Sequence, residues 1–120
     1  MDQNVLDKMM PYMTTEYGNA SSNEHKYGWA SNEAVNNSRK QISDLINCSP
    51  NEIFFTSGAT ESNNISILGS LEFCDYNTHV ITIKTEHKSI LDIFKYLSKN
   101  GIDTTYLDVH KDGIINLEKI

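Results

Sequence analysis

Arginine is almost missing from this chain. Arg39 is the only one in 120 residues, and the 10 basic residues face 16 acidic ones, for a formal net charge of −6. The signs are mixed along the chain, with no basic block. That balance argues against nucleic acid or an anionic membrane surface as a partner. Cysteine is scarce as well. Cys48 and Cys74 lie far apart and form no Cys-x-x-Cys pair, which excludes a disulfide framework and a zinc site of the usual spacing. Both read as reduced, structural thiols of an intracellular protein. No apolar run approaches the length of a membrane span. The opening Met1-Asp2-Gln3-Asn4 has neither the basic nor the apolar part of a signal peptide, so a cytoplasmic location is expected. Hydrophobic residues make up 38%, low for a compact α/β unit. A chain of this size still forms one domain at most and can bury about two thirds of its surface. There is no internal repeat, low-complexity segment or linker.

The elements follow from spacing and punctuation. Val5 to Met13 reads as a short helix capped by Asp2 or Asn4, which Pro11 should kink or end. Thr14 to Tyr27 has no period and is rich in Gly, Asn and Ser, so it reads as a loop. A helix is expected from about Ser31 to Asn47, with Ala34, Val35, Ser38, Ile42, Leu45 and Ile46 on one face. After Ser49-Pro50-Asn51, the short apolar run Ile53-Phe54-Phe55 reads as a first strand. A helix starts at Ala59, with Ile65, Leu68 and Leu71 at helical spacing. A second strand covers Val80 to Ile83, a helix runs from about Ser89 to Asn100 with Gly101 as its stop, and a third strand covers about Thr104 to Leu107. Lys111-Asp112-Gly113 is a turn, and a new helix is expected near Leu117. The division is residues 1–50, helices and loop, and residues 51–120, a βαβαβ part of a sheet. Single-helix connections imply an α/β fold with parallel strands and right-handed crossovers.

The junction Ser57-Gly58-Ala59-Thr60-Glu61-Ser62-Asn63-Asn64 is the most informative stretch. Gly58 permits a sharp turn or close approach of a ligand. The unpaired N–H groups at the helix start favour an anion, typically phosphate. Thr60 adds a hydroxyl, and Ser57 is a candidate cap. On spacing alone the pattern fits either an ordinary capped junction or a phosphate site. In a parallel sheet, sites lie at the carboxyl ends of the strands. Thr85-Glu86-His87-Lys88 leaves a strand at that same edge, so the phosphate-type turn and a histidine are expected together.

These residues carry a resemblance. The stretch from Ser57 to Asn64, with Thr85-Glu86-His87-Lys88-Ser89-Ile90-Leu91, resembles the cysteine desulfurases. These belong to the class V aminotransferase group of pyridoxal-phosphate enzymes, with the aspartate-aminotransferase-like (fold type I) fold. Tyr17-Gly18-Asn19-Ala20-Ser21-Ser22-Asn23-Glu24-His25 resembles the family's Gly-Asn-Pro-Ser-Ser-x-x-His loop, with Ala20 at the usual proline. Asp112-Gly113-Ile114-Ile115 resembles a further family segment. The resemblance runs over essentially the whole chain and points to the group serving iron–sulfur assembly. It implies that Ala59 and Thr60 bind the phosphate of pyridoxal 5'-phosphate, by backbone N–H and hydroxyl. It implies that His87 covers the cofactor's ring and moves protons at the substrate carbon. His25 reads as a structural or loop-ordering residue, and His79 and His110 need no role. The implied reaction takes sulfur from L-cysteine, leaves L-alanine and passes the sulfur through a cysteine persulfide to a scaffold or other acceptor protein. The family is homodimeric, and neither nucleic acid nor membrane is expected as a partner.

The chain departs from the family pattern in what it lacks. The family's cofactor-bearing lysine lies in a Ser-x-His-Lys-x-x-Gly-Pro segment that has no counterpart here. His87-Lys88 matches two letters of it in the wrong context, so Lys88 is not that lysine. The acidic partner of the pyridine nitrogen, the loop with the persulfide cysteine and the family's opening strand are also without counterparts. The chain therefore resembles an N-terminal portion of a large domain. Expressed alone, it is expected to be marginally stable or to aggregate, and to be inactive. The alternatives are a non-catalytic remnant or interaction fragment of a split desulfurase gene, and an unrelated phosphate-binding α/β module.

Overall fold

The computed structural model of the chain describes residues 1–74 and 78–115. It divides into two compact units, Met1–Phe55 and Thr56–Ile120.

The first unit holds two helices. Helix α1 spans Gln3–Thr14, and the Asp2 side chain caps it by accepting from the Asn4 backbone N–H at 2.8 Å. Pro11 does not break it. It sits in the last turns, where only one helical bond is lost, and its carbonyl accepts from Thr15 and Glu16 as the helix closes. Helix α2 spans Lys26–Ile46, five residues longer at its start than the periodicity predicts. The reason is His25. Its Nδ1 accepts from the Gly28 backbone N–H at 3.2 Å and caps the helix, a role more usual for Ser, Thr, Asp or Asn. His25 is thus a structural residue. Gly28 is buried and carries no side chain for a reason of space. A Cβ built there would lie 1.8 Å from the carbonyl oxygen of Ser22. Asn47 ends α2 in the left-handed conformation, which Asn tolerates better than most residues. Of the face expected to be buried, Ala34 and Val35 are half-buried, whereas Ile42, Leu45 and Ile46 are exposed.

A single 3-10 turn, Pro50–Glu52, follows, with Ser49 and Glu52 forming a reciprocal capping box. The strand expected at Ile53-Phe54-Phe55 does not form. Ile53 is extended, but its N–H donates to the Pro50 carbonyl at 3.2 Å and its C=O accepts from the Arg39 guanidinium. Both of its ladder groups are thereby engaged elsewhere. Arg39 also lies 5.0 Å from the centre of the Phe55 ring, a cation–π distance. The chain's one arginine fastens this segment to α2.

The second unit has the order α3 (Ala59–Glu72), β1 (His79–Ile83), α4 (Lys88–Lys99) and β2 (Asp103–Leu107). The strands pair in parallel, from His79 with Asp103 to Ile83 with Leu107. The sheet among the described residues has these two strands, where the sequence predicts three in βαβαβ order. Helix α4 is the clearest case of pattern dictating packing. Ile93, Phe94 and Leu97 recur at helical spacing, all are buried, and they join Leu107 of β2 as the apolar core. Phe94 and Tyr106 meet edge to face with ring centres 6.2 Å apart, the favoured aromatic geometry. Asn100 and Gly101 stop the helix, Gly101 at φ 86°. Beyond β2, Val109 and Ile115 form an isolated antiparallel bridge around the Lys111-Asp112-Gly113 turn. The helix expected near Leu117 lies outside the described residues.

Candidate functional site

Helix α3 begins with a sharp turn at Gly58, whose φ of 158° and ψ of −176° lie in a region adopted almost only by glycine. A Cβ at Gly58 would meet nothing within 4 Å, so the space before the helix is open. Ser57 does not cap α3. Its Oγ–H and its backbone N–H both donate to Glu61 Oε2, each at 2.7 Å, so the carboxylate braces the turn from the helix side. The Ser57 hydroxyl, and after it the Ser57 N–H, hold the Glu61 carboxyl below its ordinary pKa. With Gly58 at the cap position there is no side-chain cap, and among the described residues no side chain bonds the first N–H groups of α3. Ala59 and Thr60 are exposed at this end. These are the features an anion requires of a helix start.

His87 stands at the start of α4 as its cap. Its Nδ1 accepts from the Ser89 backbone N–H at 3.2 Å and lies 2.9 Å from the Ser89 hydroxyl. The ring itself is exposed. Lys88 is turned to its own helix, where its ammonium pairs with Asp92, and Lys95 lies 3.5 Å from the same carboxylate. Chiefly through the Lys88 hydrogen bond, the Asp92 carboxyl is held below its ordinary pKa.

The two helix starts are joined. The amide Nδ2 of Asn63 donates to Ser89 Oγ at 3.0 Å. A cleft of about 360 Å³ is lined by Thr60, Asn64 and Leu68 of α3 and by Ser89, Asp92, Ile93 and Tyr96 of α4. The structure thus places Thr60 and Ser89 on one cleft, and His87 is bonded to Ser89. Asn63 and Ser89 are the residues the sequence reading passes over. Their signal was present: Asn63 is one turn after Thr60, on the same side of the helix, and Ser89 is at the position a cap residue bonds.

The model of the aminotransferase class-V family matches residues 1–120. The chain belongs to this family. It is 48% identical over 123 aligned residues to the cysteine desulfurase IscS of Neisseria gonorrhoeae, with 100% of this chain and 30% of that protein covered. Among solved structures, a NifS-like protein superposes with a TM-score of 0.83 and 36% identity over 99% of this chain and 33% of its own. SspA, solved in complex with cysteine, gives a TM-score of 0.81 and 32% identity over 99% of this chain and 34% of its own. The chain therefore spans about a third of the length of the proteins it matches. The α/β fold with parallel strands is that of the large domain of fold type I pyridoxal-phosphate enzymes. The family is pyridoxal-phosphate-dependent. Cys48 and Cys74 are both free thiols. No helix among the described residues is long and apolar enough to cross a membrane.

Proposed function

We propose that this chain is the part of a cysteine desulfurase large domain that holds the phosphate and covers the ring of pyridoxal 5'-phosphate. The observation that carries this reading is an open α3 start that shares one cleft with Ser89, the residue to which His87 is bonded, in a chain 48% identical to a cysteine desulfurase.

The residues fit the cofactor. A doubly charged phosphate suits the free N–H groups of Ala59 and Thr60 and the Thr60 hydroxyl, and the space in front of Gly58 is open. The flat face of the His87 ring suits an aromatic neighbour. When bound, the cofactor supplies an electron sink for breaking bonds at the substrate carbon. The chain's own residues bind and orient. Ala59 and Thr60 fix one end, His87 restricts the other, and the Glu61 brace keeps the turn in shape. Lys88 pairs with Asp92 on its own helix. The substrate in this reading is L-cysteine, the acceptor an iron–sulfur scaffold or similar protein, the assembly a homodimer and the compartment the cytoplasm.

The test is titration of the full chain with pyridoxal 5'-phosphate, followed by amide shifts. The Ala59 and Thr60 amides and the His87 ring should move together. Thr60→Val removes one hydrogen bond of about 1 kcal/mol, so affinity should fall roughly fivefold. No sulfide should be released from L-cysteine above the free cofactor's own rate. Shifts elsewhere only, or binding of nucleotides in preference to pyridoxal phosphate, would overturn the reading in favour of an unrelated phosphate module.

A further inference from the structure

The His87 ring is held by more than its place on the chain. A backbone N–H can only donate, so the Ser89 N–H, 3.2 Å from Nδ1, favours Nδ1 as the unprotonated nitrogen. The Ser89 hydroxyl lies 2.9 Å from the same atom. It has a single proton to give. With Nδ1 unprotonated that proton points at it, and Asn63 Nδ2, donating to the same oxygen at 3.0 Å, holds the hydroxyl in that orientation. Two donors thus converge on one ring nitrogen, and the second is aimed by a residue of another helix.

We infer that Asn63 and Ser89 are positioning residues that lock neutral His87 in the tautomer with its proton on Nε2. The inference rests on the reading of His87 as the ring-covering residue, and it narrows what that residue can do. In this tautomer Nε2 offers an N–H, so His87 donates a hydrogen bond to an electron-rich oxygen, nitrogen or sulfur of a ligand lying against it. It does not accept a proton at Nε2, because that site is filled. A proton can be added only at Nδ1, and doing so breaks the bond from the Ser89 N–H, and with it the cap of α4, and reverses the bond with the Ser89 hydroxyl. Sequence-based reasoning assigns His87 proton movement at the substrate carbon. The geometry points instead to a stacking, hydrogen-bond-donating imidazole whose orientation is set from α3. Asn63 thereby couples the phosphate end of the site to the ring end without touching either.

The experiment is nitrogen-15 NMR of the histidine rings in the full chain, at about pH 8.5, where an ordinary imidazole is neutral. It needs no cofactor, so it can fail while the binding titration succeeds, and the reverse. His87 should show Nδ1 at the unprotonated position and Nε2 at the protonated one, with no second form. In Ser89→Ala and in Asn63→Ala the form with the proton on Nδ1 should become measurable. Ser89→Thr keeps the hydroxyl and should restore the single form, a rescue that mere loss of helix stability does not predict. His25 supplies an internal reference, since its Nδ1 also accepts from a backbone N–H and should stay unchanged in all three variants. A wild-type His87 that shows the proton on Nδ1, or a mixture of the two forms, overturns the lock. An unchanged ring in Ser89→Ala and Asn63→Ala overturns the role of those two residues.

Discussion

Two Gly→Ala substitutions should move stability in opposite directions, and the structure says by how much. In the middle of a helix, Gly costs about 1 kcal/mol relative to Ala. Gly69 lies within α3, and a Cβ there meets nothing within 4 Å. Gly69→Ala should therefore stabilise by about 0.5–1 kcal/mol. Gly28 is also helical, but its Cβ would fall 1.8 Å from the Ser22 carbonyl oxygen and 2.8 Å from the Ser22 carbonyl carbon. Real Cβ atoms keep at least 3.0 Å, and both obstacles are backbone, so the helix start or the loop must move by more than about 1 Å. That movement pulls the Gly28 N–H from His25 Nδ1 and disturbs the 2.8 Å bond from Trp29 Nε1 to the Asn23 carbonyl. A lost cap is worth about 1 kcal/mol and a lost hydrogen bond about 1 more. Steric strain adds to these, so Gly28→Ala should destabilise by about 2 kcal/mol in spite of the helical gain. Urea denaturation followed by circular dichroism reads both variants. Trp29 is the only tryptophan, so its fluorescence reports the Gly28 site directly and should show a more solvent-exposed indole. If Gly28→Ala stabilised as much as Gly69→Ala, the close approach of α2 to Ser22 would be wrong.

Leu97→Ala should cost about 2–5 kcal/mol, because Leu97 is one of only four buried apolar side chains among the described residues; loss of amide protection across 79–107 is the measure. The Glu61 carboxyl, depressed by its bonds to Ser57, contributes stability that is present above its unfolded pKa and is lost as pH falls through the folded one. Acid titration should accordingly show Glu61 protonating below the ordinary glutamate range, and Ser57→Ala should bring it back toward that range. Asp92 follows the same sign: its stabilising pair with Lys88 is present above the ordinary carboxylate range and fades below it. In Lys88→Gln its titration midpoint should rise; an unmoved midpoint would refute the pairing.

The parts legible in the sequence are those whose cause is local. Helix α4 declares itself through Ile93, Phe94 and Leu97 and ends at a glycine, and the parallel pair β1–β2 follows from a helix placed between two β-favouring runs. Thr60 and Ser89 reach one cleft because two helix starts lie side by side. The misses have distant or unusual causes. His25 starts α2 five residues early, since a histidine cap is not a common signal. Ile53-Phe54-Phe55 has the composition of a strand, but a strand also needs free ladder groups, and Arg39 takes one of them from 14 positions upstream. The bond from Asn63 to Ser89 spans 26 positions and leaves no periodic trace.

The parallel pairing of β1 and β2 has a kinetic consequence. Every rung of the ladder joins residues at one fixed separation along the chain, from His79 with Asp103 to Ile83 with Leu107. No rung can form early through a short loop, as the first rung of a hairpin does. The pair must close all at once, and α4 shortens the path by folding the intervening chain into a rod. Changes that weaken α4 in isolation should therefore slow folding more than they speed unfolding. The helix that carries the core also times the sheet.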